Sequence, residues 1–405
     1  MPPSERPMTP LTLSAYTLVT TTGRGVGAVS QALRDRRSGL KPCDFEDALL
    51  KTYIGRVEGL EDFSLENGLE RFDCRNNRLA WLGLQQDGFM VAVAEAKQRY
   101  GADRIAVVMG TSTSGILDTE HAYANRDPQT GVLPSWYTSR YRYTHNMFSL
   151  GHFVRACLGL RGPALVISTA CSSSAKVFAT AARYLQAGLC DAAIVGGVDS
   201  LCLTTLYGFS ALQLLSAQPC RPCDEDRDGL SLGEAAGYAL LESSARVGRK
   251  GAIALLGYGE STDGYHMSHP HPEGAGAVRA IRQALDRAVL QPSDIDYINL
   301  HGTATRANDA VEDKAVYGIF GGATLASSTK GWTGHTLGAA GITEALIAAL
   351  CLKQGFVPGT LNCERVDPTL RCNIVRENEE RPVRRILSNI FGFGGNNCSL
   401  VLGVL

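Results

Sequence analysis

Four side chains in this 405-residue sequence could together carry out nucleophilic and acid–base chemistry: Cys171, His301, Lys330 and His335. Cys171 follows the apolar run Ala164-Leu-Val-Ile167 and a few small residues, and the residues after it place apolar side chains at helical spacing. The cysteine is therefore predicted at a strand-to-helix turn, on the N-terminus of a helix running to Leu185. Unpaired backbone N–H groups and the positive end of the helix dipole favour a thiolate there. The same geometry is that of a nucleophile elbow, where a tight turn holds the reactive atom up. The plain alternative is a small buried cysteine, which is where most free cysteines go. His301 closes the buried run Ile295–Leu300. Lys330 and His335 share the stretch Lys330-Gly-Trp-Thr-Gly-His335, just before a glycine- and alanine-rich helix over Leu337–Leu352. A merely solvated histidine rarely ends a buried strand or opens a core helix, and the two together with Cys171 point to one site.

The elements that must position these groups alternate between strand and helix. Residues 1–10 are polar and Pro-rich and read as a flexible tail. Leu11–Thr20, Ile105–Gly110, Ala164–Ile167, Ala192–Gly197 and Gly237–Glu242 read as strands of a first half, 11–251, with the middle three runs buried. Thr111-Ser-Thr-Ser-Gly115 is a small-residue turn suited to a pocket wall, and aromatic Gln129–Ser149 could line a ligand or meet a subunit. Ser243–Gly251 is small and basic and marks a boundary. A second half, 252–405, then restarts with a strand at Ala252–Gly257 and ends with Arg385–Phe391, a glycine loop, and Cys398–Val404. Each half has a central strand–turn–helix with chemistry at its turn, Cys171 in one and Lys330 with His335 in the other. This predicts two similar α/β layers with the site at their junction.

Composition excludes some functions. The chain is 44% hydrophobic and 20% charged, so it can bury a large core. Lys plus Arg, 39, nearly offset Asp plus Glu, 40, and the net charge of -1 gives no support to nucleic-acid or membrane-surface binding. The N-terminus lacks the pattern of a signal peptide, and no apolar run reads as long enough to span a bilayer. The 12 scattered cysteines read as free thiols in a reducing cytoplasm. Four motifs are decoys. Gly23-x-Gly25-x-x-Ala28 imitates a dinucleotide fingerprint, but Lys41-Pro42-Cys43 before Asp44 signals a loop. Cys220-Arg-Pro-Cys223 has no second ligand pair at zinc spacing. Asp224-x-Asp226-x-Asp228-Gly229 starts like a calcium loop yet has Ala235 where the bidentate acid belongs, so it reads as a locally satisfied turn. His266-x-x-His269-x-His271 lies among prolines and glycines and reads as exposed loop. No metal is expected.

Read jointly, the motifs resemble those of the β-ketoacyl-[acyl-carrier-protein] synthases of the elongating, type I/II kind. The matching pieces run in family order: Thr169-Ala-Cys-Ser-Ser-Ser174; Asp226-Arg-Asp-Gly229 with Gly233-Glu234; His301-Gly-Thr-Ala-Thr305 with Asn308-Asp309; Lys330-x-x-x-Gly-His335-x-x-Gly-Ala-Ala-Gly341; and Phe391-Gly-Phe-Gly-Gly395. The resemblance implies a thiolase-like α/β fold, two similar halves packed as a layered α-β-α-β-α core. It implies that Cys171 takes an acyl group from acyl carrier protein, and that malonyl-[acyl-carrier-protein] then loses carbon dioxide and attacks it. By the same resemblance, backbone N–H groups of Cys171 and Phe393 form the oxyanion hole, and His301 and His335 hold the enolate. Lys330 organises them with support from Glu344, and Thr303 and Thr305 bind the phosphopantetheine arm. Phe393 gates the site, and Thr113 lines the acyl pocket. The expected partners are acyl carrier protein and a second copy in a homodimer, or a chain-length-factor-like subunit in a heterodimer. No cofactor is expected. The clustered Arg71, Arg75, Arg78 and Arg140 are expected to meet the acidic carrier. Arg306 stands where the family usually has proline. Thr113 stands where relatives place glycine or a bulky apolar residue, and a polar wall would suit an aryl-polyene or similar specialised chain beside ordinary fatty-acid elongation. A thiolase would need a second cysteine, for which Cys398 is poorly placed. An initiating synthase would have asparagine for one histidine, a hydrolase needs no decarboxylation machinery, and a chain-length subunit would lack Cys171.

Overall fold

A computed structural model describes residues 7–405, so most of the expected tail, 1–6, lies outside the described residues. Beyond it, Met8 donates its N–H to the Arg287 carbonyl at 2.9 Å and packs on the core. The first half contributes strands β1 (Leu11–Thr20), β2 (Ile105–Gly110), β3 (Ala164–Ile167), β4 (Ala192–Asp199) and β5 (Ala235–Ser243). The second contributes β6 (Ile253–Thr262), β7 (Tyr297–Asn299), β8 (Leu325–Ser327), β9 (Asn373–Ile374), β10 (Arg385–Gly392) and β11 (Asn396–Val404). With the short strand Gly23–Arg24 on β1, they form one 12-stranded sheet. Outward from the seam the order is β1-β5-β4-β2-β3 on one side and β6-β11-β10-β7-β8-β9 on the other. In both halves the two steps nearest the seam are antiparallel and the next two parallel. The halves are thus two copies of one topology, joined where Leu11 and Thr12 pair with Leu255 and Ala254.

The parallel strands need helical crossovers, and these supply the other layers. The helices are α1 (Arg75–Leu84), α2 (Ser149–Leu158), α3 (Ser173–Gln186), α4 (Ala275–Ala288), α5 (Arg306–Phe320) and α6 (Ala340–Gln354). On β2 the alternation of side chains sorts the core. Ala106 and Val108 face the cluster that holds α3 and α6, while Ile105, Val107 and Met109 face the cluster under α1 and α2. Ile281 on α4 and Val316 on α5 pack over Ile298 on the opposite outer face. The layering is therefore α-β-α-β-α, with α3 and α6 in the middle. Those helices touch backbone to backbone, since any side chain at Gly341 would run into Ala175.

Two expectations need correction. Leu337–Gln354 does have the length and mean hydropathy, 1.3, to cross a bilayer, but 89% of it is buried as the central helix of a layered core. β3 is not a buried strand: it pairs with β2 alone and forms a half-exposed edge with Leu165 37% exposed. The dinucleotide-like turn folds back as a hairpin on β1, and the Asp87 carboxylate already accepts the Val26 N–H at 3.0 Å at the start of the following helix. The calcium-like turn is satisfied only in part locally: Asp224 accepts the Asp226 N–H, but also those of Glu364 and Arg365, 140 and 141 residues away.

Candidate active site

β3 delivers Cys171 through Ala170, whose φ of 52° is left-handed. A non-glycine residue there costs about 1–2 kcal/mol, strain that fits a tight nucleophile turn. Cys171 is 6% exposed, and its Sγ lies 3.0 Å from His335 Nε2. His301 follows β7 and is pinned by Glu312 on α5, whose carboxylate accepts the N–H groups of His301 and Gly302, each at 2.8 Å. The Lys330 ammonium lies 3.4 Å from His301 Nδ1, donates to the His301 carbonyl, and pairs with buried Glu344 on α6. An ammonium can only donate, so Nδ1 accepts and the His301 proton sits on Nε2. The two imidazoles stand edge to face, centroids 5.3 Å apart at 84°.

Burial sets the charges. Desolvation holds both histidines well below their usual range, helped by the Lys330 charge, so each is neutral at physiological pH. Burial likewise raises Glu312 and Glu344 to about 7, against the pull of Lys330. Cys171 departs from expectation: burial pushes its thiol up to about 11, although Lys330 and the N–H groups of Phe393 and Cys171 pull it down. The helix end does not outweigh desolvation in the resting site. Alkylation of Cys171, followed by site-resolved mass spectrometry, should therefore rise about tenfold per pH unit between pH 7 and 9. A plateau below pH 8 would mean a preformed thiolate.

The N–H groups that reach the sulfur come from the expected oxyanion pair, Cys171 and Phe393. Gly392 sits against them, where a Cβ would stand 3.2 Å from Cys171 N and 3.1 Å from Ser172 N, so glycine keeps the hole open. Phe393 packs against Phe209 at 5.6 Å, on a loop where Gly394 and Gly395 have φ of 73° and 69°. Thr303 and Thr305, hydroxyls 2.9 Å apart, line the same cavity as Cys171, His301 and His335. The Cys171, His301 and His335 donor atoms lie within 4.8 Å of one another, close enough to hold a soft cation, but the Lys330 ammonium beside them opposes one. Asn299 Oδ1, Ser388 Oγ and Glu344 Oε2 are buried without a protein partner, as oxygens are that a buried water or hard cation satisfies.

Several expected residues lie elsewhere. The Thr113 hydroxyl donates to Asp199 Oδ1 at 2.8 Å, so it is not free to face an acyl chain, and the residue is not part of the wall around Cys171. Arg75 is buried in a two-pronged pair with Glu234, at 3.0 and 2.6 Å, and cannot meet a partner. Arg78 grips Asp73 at 2.7 Å through both prongs, and Arg140 donates to the Asp73 carbonyl. Arg71 alone of the four is exposed, stacked over Phe72 and Tyr143 at 5.0 and 4.8 Å. Cys398 is buried in β11, opposite Ile390, where no second nucleophile is needed. Glu312 and Asp199 were missed. Asp199 ends β4 and gathers Thr111 Oγ1 at 2.6 Å, Thr113 N at 3.0 Å and the Gly338 N–H, tying the pocket-wall turn to the start of α6. The signal was an acid directly after a continuous apolar run. In the histidine loop His266 and His269 are exposed as expected and His271 is half-buried; His269 also stands at the cavity mouth, and the Met267 carbonyl accepts the Gly394 N–H at 2.7 Å.

Family models described as β-ketoacyl synthase, N-terminal domain and C-terminal domain match residues 15–246 and 253–364. The mitochondrial 3-oxoacyl-[acyl-carrier-protein] synthase of Arabidopsis thaliana is 33% identical over 432 residues, 95% of this chain and 91% of that one. A 3-oxoacyl-[acyl-carrier-protein] synthase 2 of Rhizobium meliloti is 37% identical over 67% of this chain and 70% of its own. Among solved structures, a ketosynthase from Xenorhabdus doucetiae in complex with its chain length factor aligns with TM-score 0.87 and 37% identity over 98% of each chain. A β-ketoacyl synthase from Burkholderia phymatum aligns with TM-score 0.84 and 26% identity over 98% of this chain and 100% of that one.

Proposed function

The chain belongs to the β-ketoacyl synthase family, enzymes that make 3-oxoacyl-[acyl-carrier-protein] in fatty-acid or polyketide-type elongation, and from that premise we propose how its residues divide the reaction. In the first step Cys171 Sγ attacks the acyl thioester carbonyl and the carrier's C–S bond breaks. The thiol proton passes through His335 Nε2 to the departing pantetheine sulfur. The oxyanion is held by the N–H groups of Cys171 and Phe393. In the second step the malonyl C–C bond breaks and carbon dioxide leaves. The electron pair moves to the thioester oxygen, where His301 donates from Nε2; His335 joins it in the tautomer with its proton on Nε2, the reverse of the one that accepts the thiol proton. The enolate carbon then attacks the acyl group, the acyl–sulfur bond breaks, and the departing Cys171 thiolate takes a proton from solvent. Neutral imidazoles suit this task, as they donate hydrogen bonds without holding the enolate as an ion pair too stable to react. The observation that carries the reading is the convergence of Cys171, His335 and a donor-oriented His301 in one buried cavity. It needs no cofactor beyond the carrier's own phosphopantetheine. Offering a panel of acyl and malonyl carrier proteins should give 3-oxoacyl products by mass spectrometry, and Cys171→Ala should abolish both product and the acyl adduct. An adduct surviving in that variant would remove Cys171 from the role.

For the carrier, support comes from a patch of cations around His152: exposed Arg71 and Arg142, and half-buried Arg155, all without a carboxylate partner among the described residues. An acidic carrier surface fits it. Reversing Arg71 and Arg142 to Glu should raise KM for malonyl carrier at least about tenfold, less so at high salt; an unchanged KM would move the docking site elsewhere. The edge of β3 is the natural place for a second subunit, since an unpaired apolar edge is a template for another strand. The 37% identical ketosynthase in complex with its chain length factor supports a partner of that kind, and a second copy is the alternative occupant. The free thiols, which include all 12 cysteines, suit a reducing cytoplasm.

A further inference from the structure

We propose that Arg306 binds the phosphate of the phosphopantetheine arm, as a specificity residue at the mouth of the Cys171 cavity. This rests on carrier-bound malonyl being the substrate. Arg306 opens α5, and its neighbours on both sides, Thr305, Ala307 and Asn308, line the cavity that ends at Cys171. It is exposed and, among the described residues, has neither a carboxylate nor a hydrogen-bond partner. That sets it apart from the arginines elsewhere in the fold whose forks are filled, such as Arg75 on Glu234 and Arg227 on Asp367. Nor is its charge offset across the mouth. Asp263, the carboxylate among the lining residues, is already engaged by Asn397 Nδ2 at 2.8 Å and the His271 N–H at 2.9 Å.

Arg306 itself lies just outside that lining, so the start of α5 presents an unspent planar cation beside the mouth, and a guanidinium fork matches two oxygens of one phosphate. The order of groups along the cavity matches the order along the arm. The phosphodiester stays outside at Arg306, the amides pass Thr303 and Thr305, and the thioester reaches Cys171, His301 and His335. Because the charge is solvent-exposed, its contribution is moderate and salt-dependent, and it acts on binding rather than on the chemical step.

The test compares wild type, Arg306→Gln and Arg306→Lys with malonyl-pantetheine, which has no phosphate, malonyl-phosphopantetheine, and malonyl carrier protein. Arg306→Gln should raise KM about 5- to 10-fold for both phosphate-bearing donors and leave KM for malonyl-pantetheine and every kcat unchanged. Arg306→Lys should recover part of the loss. An equal loss on malonyl-pantetheine would make Arg306 a support for the α5 start, and a loss confined to the carrier protein would make it a protein contact. Either result, or no change at all, overturns the phosphate assignment. Wild-type enzyme that condenses none of the donors would instead overturn the substrate reading beneath it.

Discussion

His301→Ala should cut condensation about 10²- to 10³-fold, the usual cost of losing one donor to a developing oxyanion, while Cys171 still loads its acyl group. The separation follows from where the groups sit. Cys171 Sγ bonds His335, not His301, so transfer of the acyl group from its carrier keeps its base and its oxyanion hole. His301 has its Nδ1 occupied by Lys330 and offers only an Nε2 donor to the cavity, which matters when malonyl loses carbon dioxide. Intact-mass measurement should show a full acyl adduct on the variant, and a malonyl decarboxylation assay should show the loss. If loading fell as far as decarboxylation, the division between the histidines would be wrong. His301→Gln, which keeps a donor, should recover part of the rate.

The second large effect is on folding. Lys330→Met leaves Glu344, 3% exposed at its side chain, as an uncompensated acid beneath the site. Breaking a buried pair by removing one partner costs about 3–5 kcal/mol, which should appear as a lower denaturant midpoint at pH 8. The sign of the pH response is testable. Glu344 is already raised to about 7 with Lys330 present, and losing the lysine raises it further. The folded variant then keeps a proton that the unfolded chain releases near pH 4.5, so its stability should fall as pH rises from there to the raised folded value, above 7, and level off beyond it. The double variant Lys330→Met with Glu344→Leu should regain most of the stability and none of the condensation, because His301 loses the ammonium that fixes its tautomer. A single Lys330→Met variant as stable at pH 8 as wild type would mean that water, not the lysine, solvates Glu344.

The catalytic groups were legible in the sequence because each borders a regular element. Cys171, His301 and His335 stand where an apolar run stops or a helix pattern starts, so spacing alone placed them at turns. The charged groups were not legible in this way. Arg75 looks like a free cation in a helical stretch, but its partner Glu234 is 159 residues away, whereas Arg78 is held by Asp73, only five residues before it. The polar wall at Thr113 failed for the same reason, since Asp199 is 86 residues distant. β3 was read as buried from its composition, which cannot tell an inner strand from an edge awaiting a partner. The reactivity of Cys171 was misjudged in its resting state because a helix end is visible in sequence and the depth of burial is not.

The repeated topology has a consequence for subunits that carry different lesions. Cys171 follows the third strand of the first copy, and Lys330 and His335 follow the third strand of the second, so the loading and the enolate-forming functions lie in one polypeptide. Neither copy suffices by itself: one would hold an acyl group it could not extend, and the other would make an enolate with nothing to attack. Since α3 and α6 meet backbone to backbone within a single chain, a dimer built from a Cys171-deficient subunit and a His301-deficient one would contain two broken sites and no intact one. Mutual rescue between alleles is closed to this architecture.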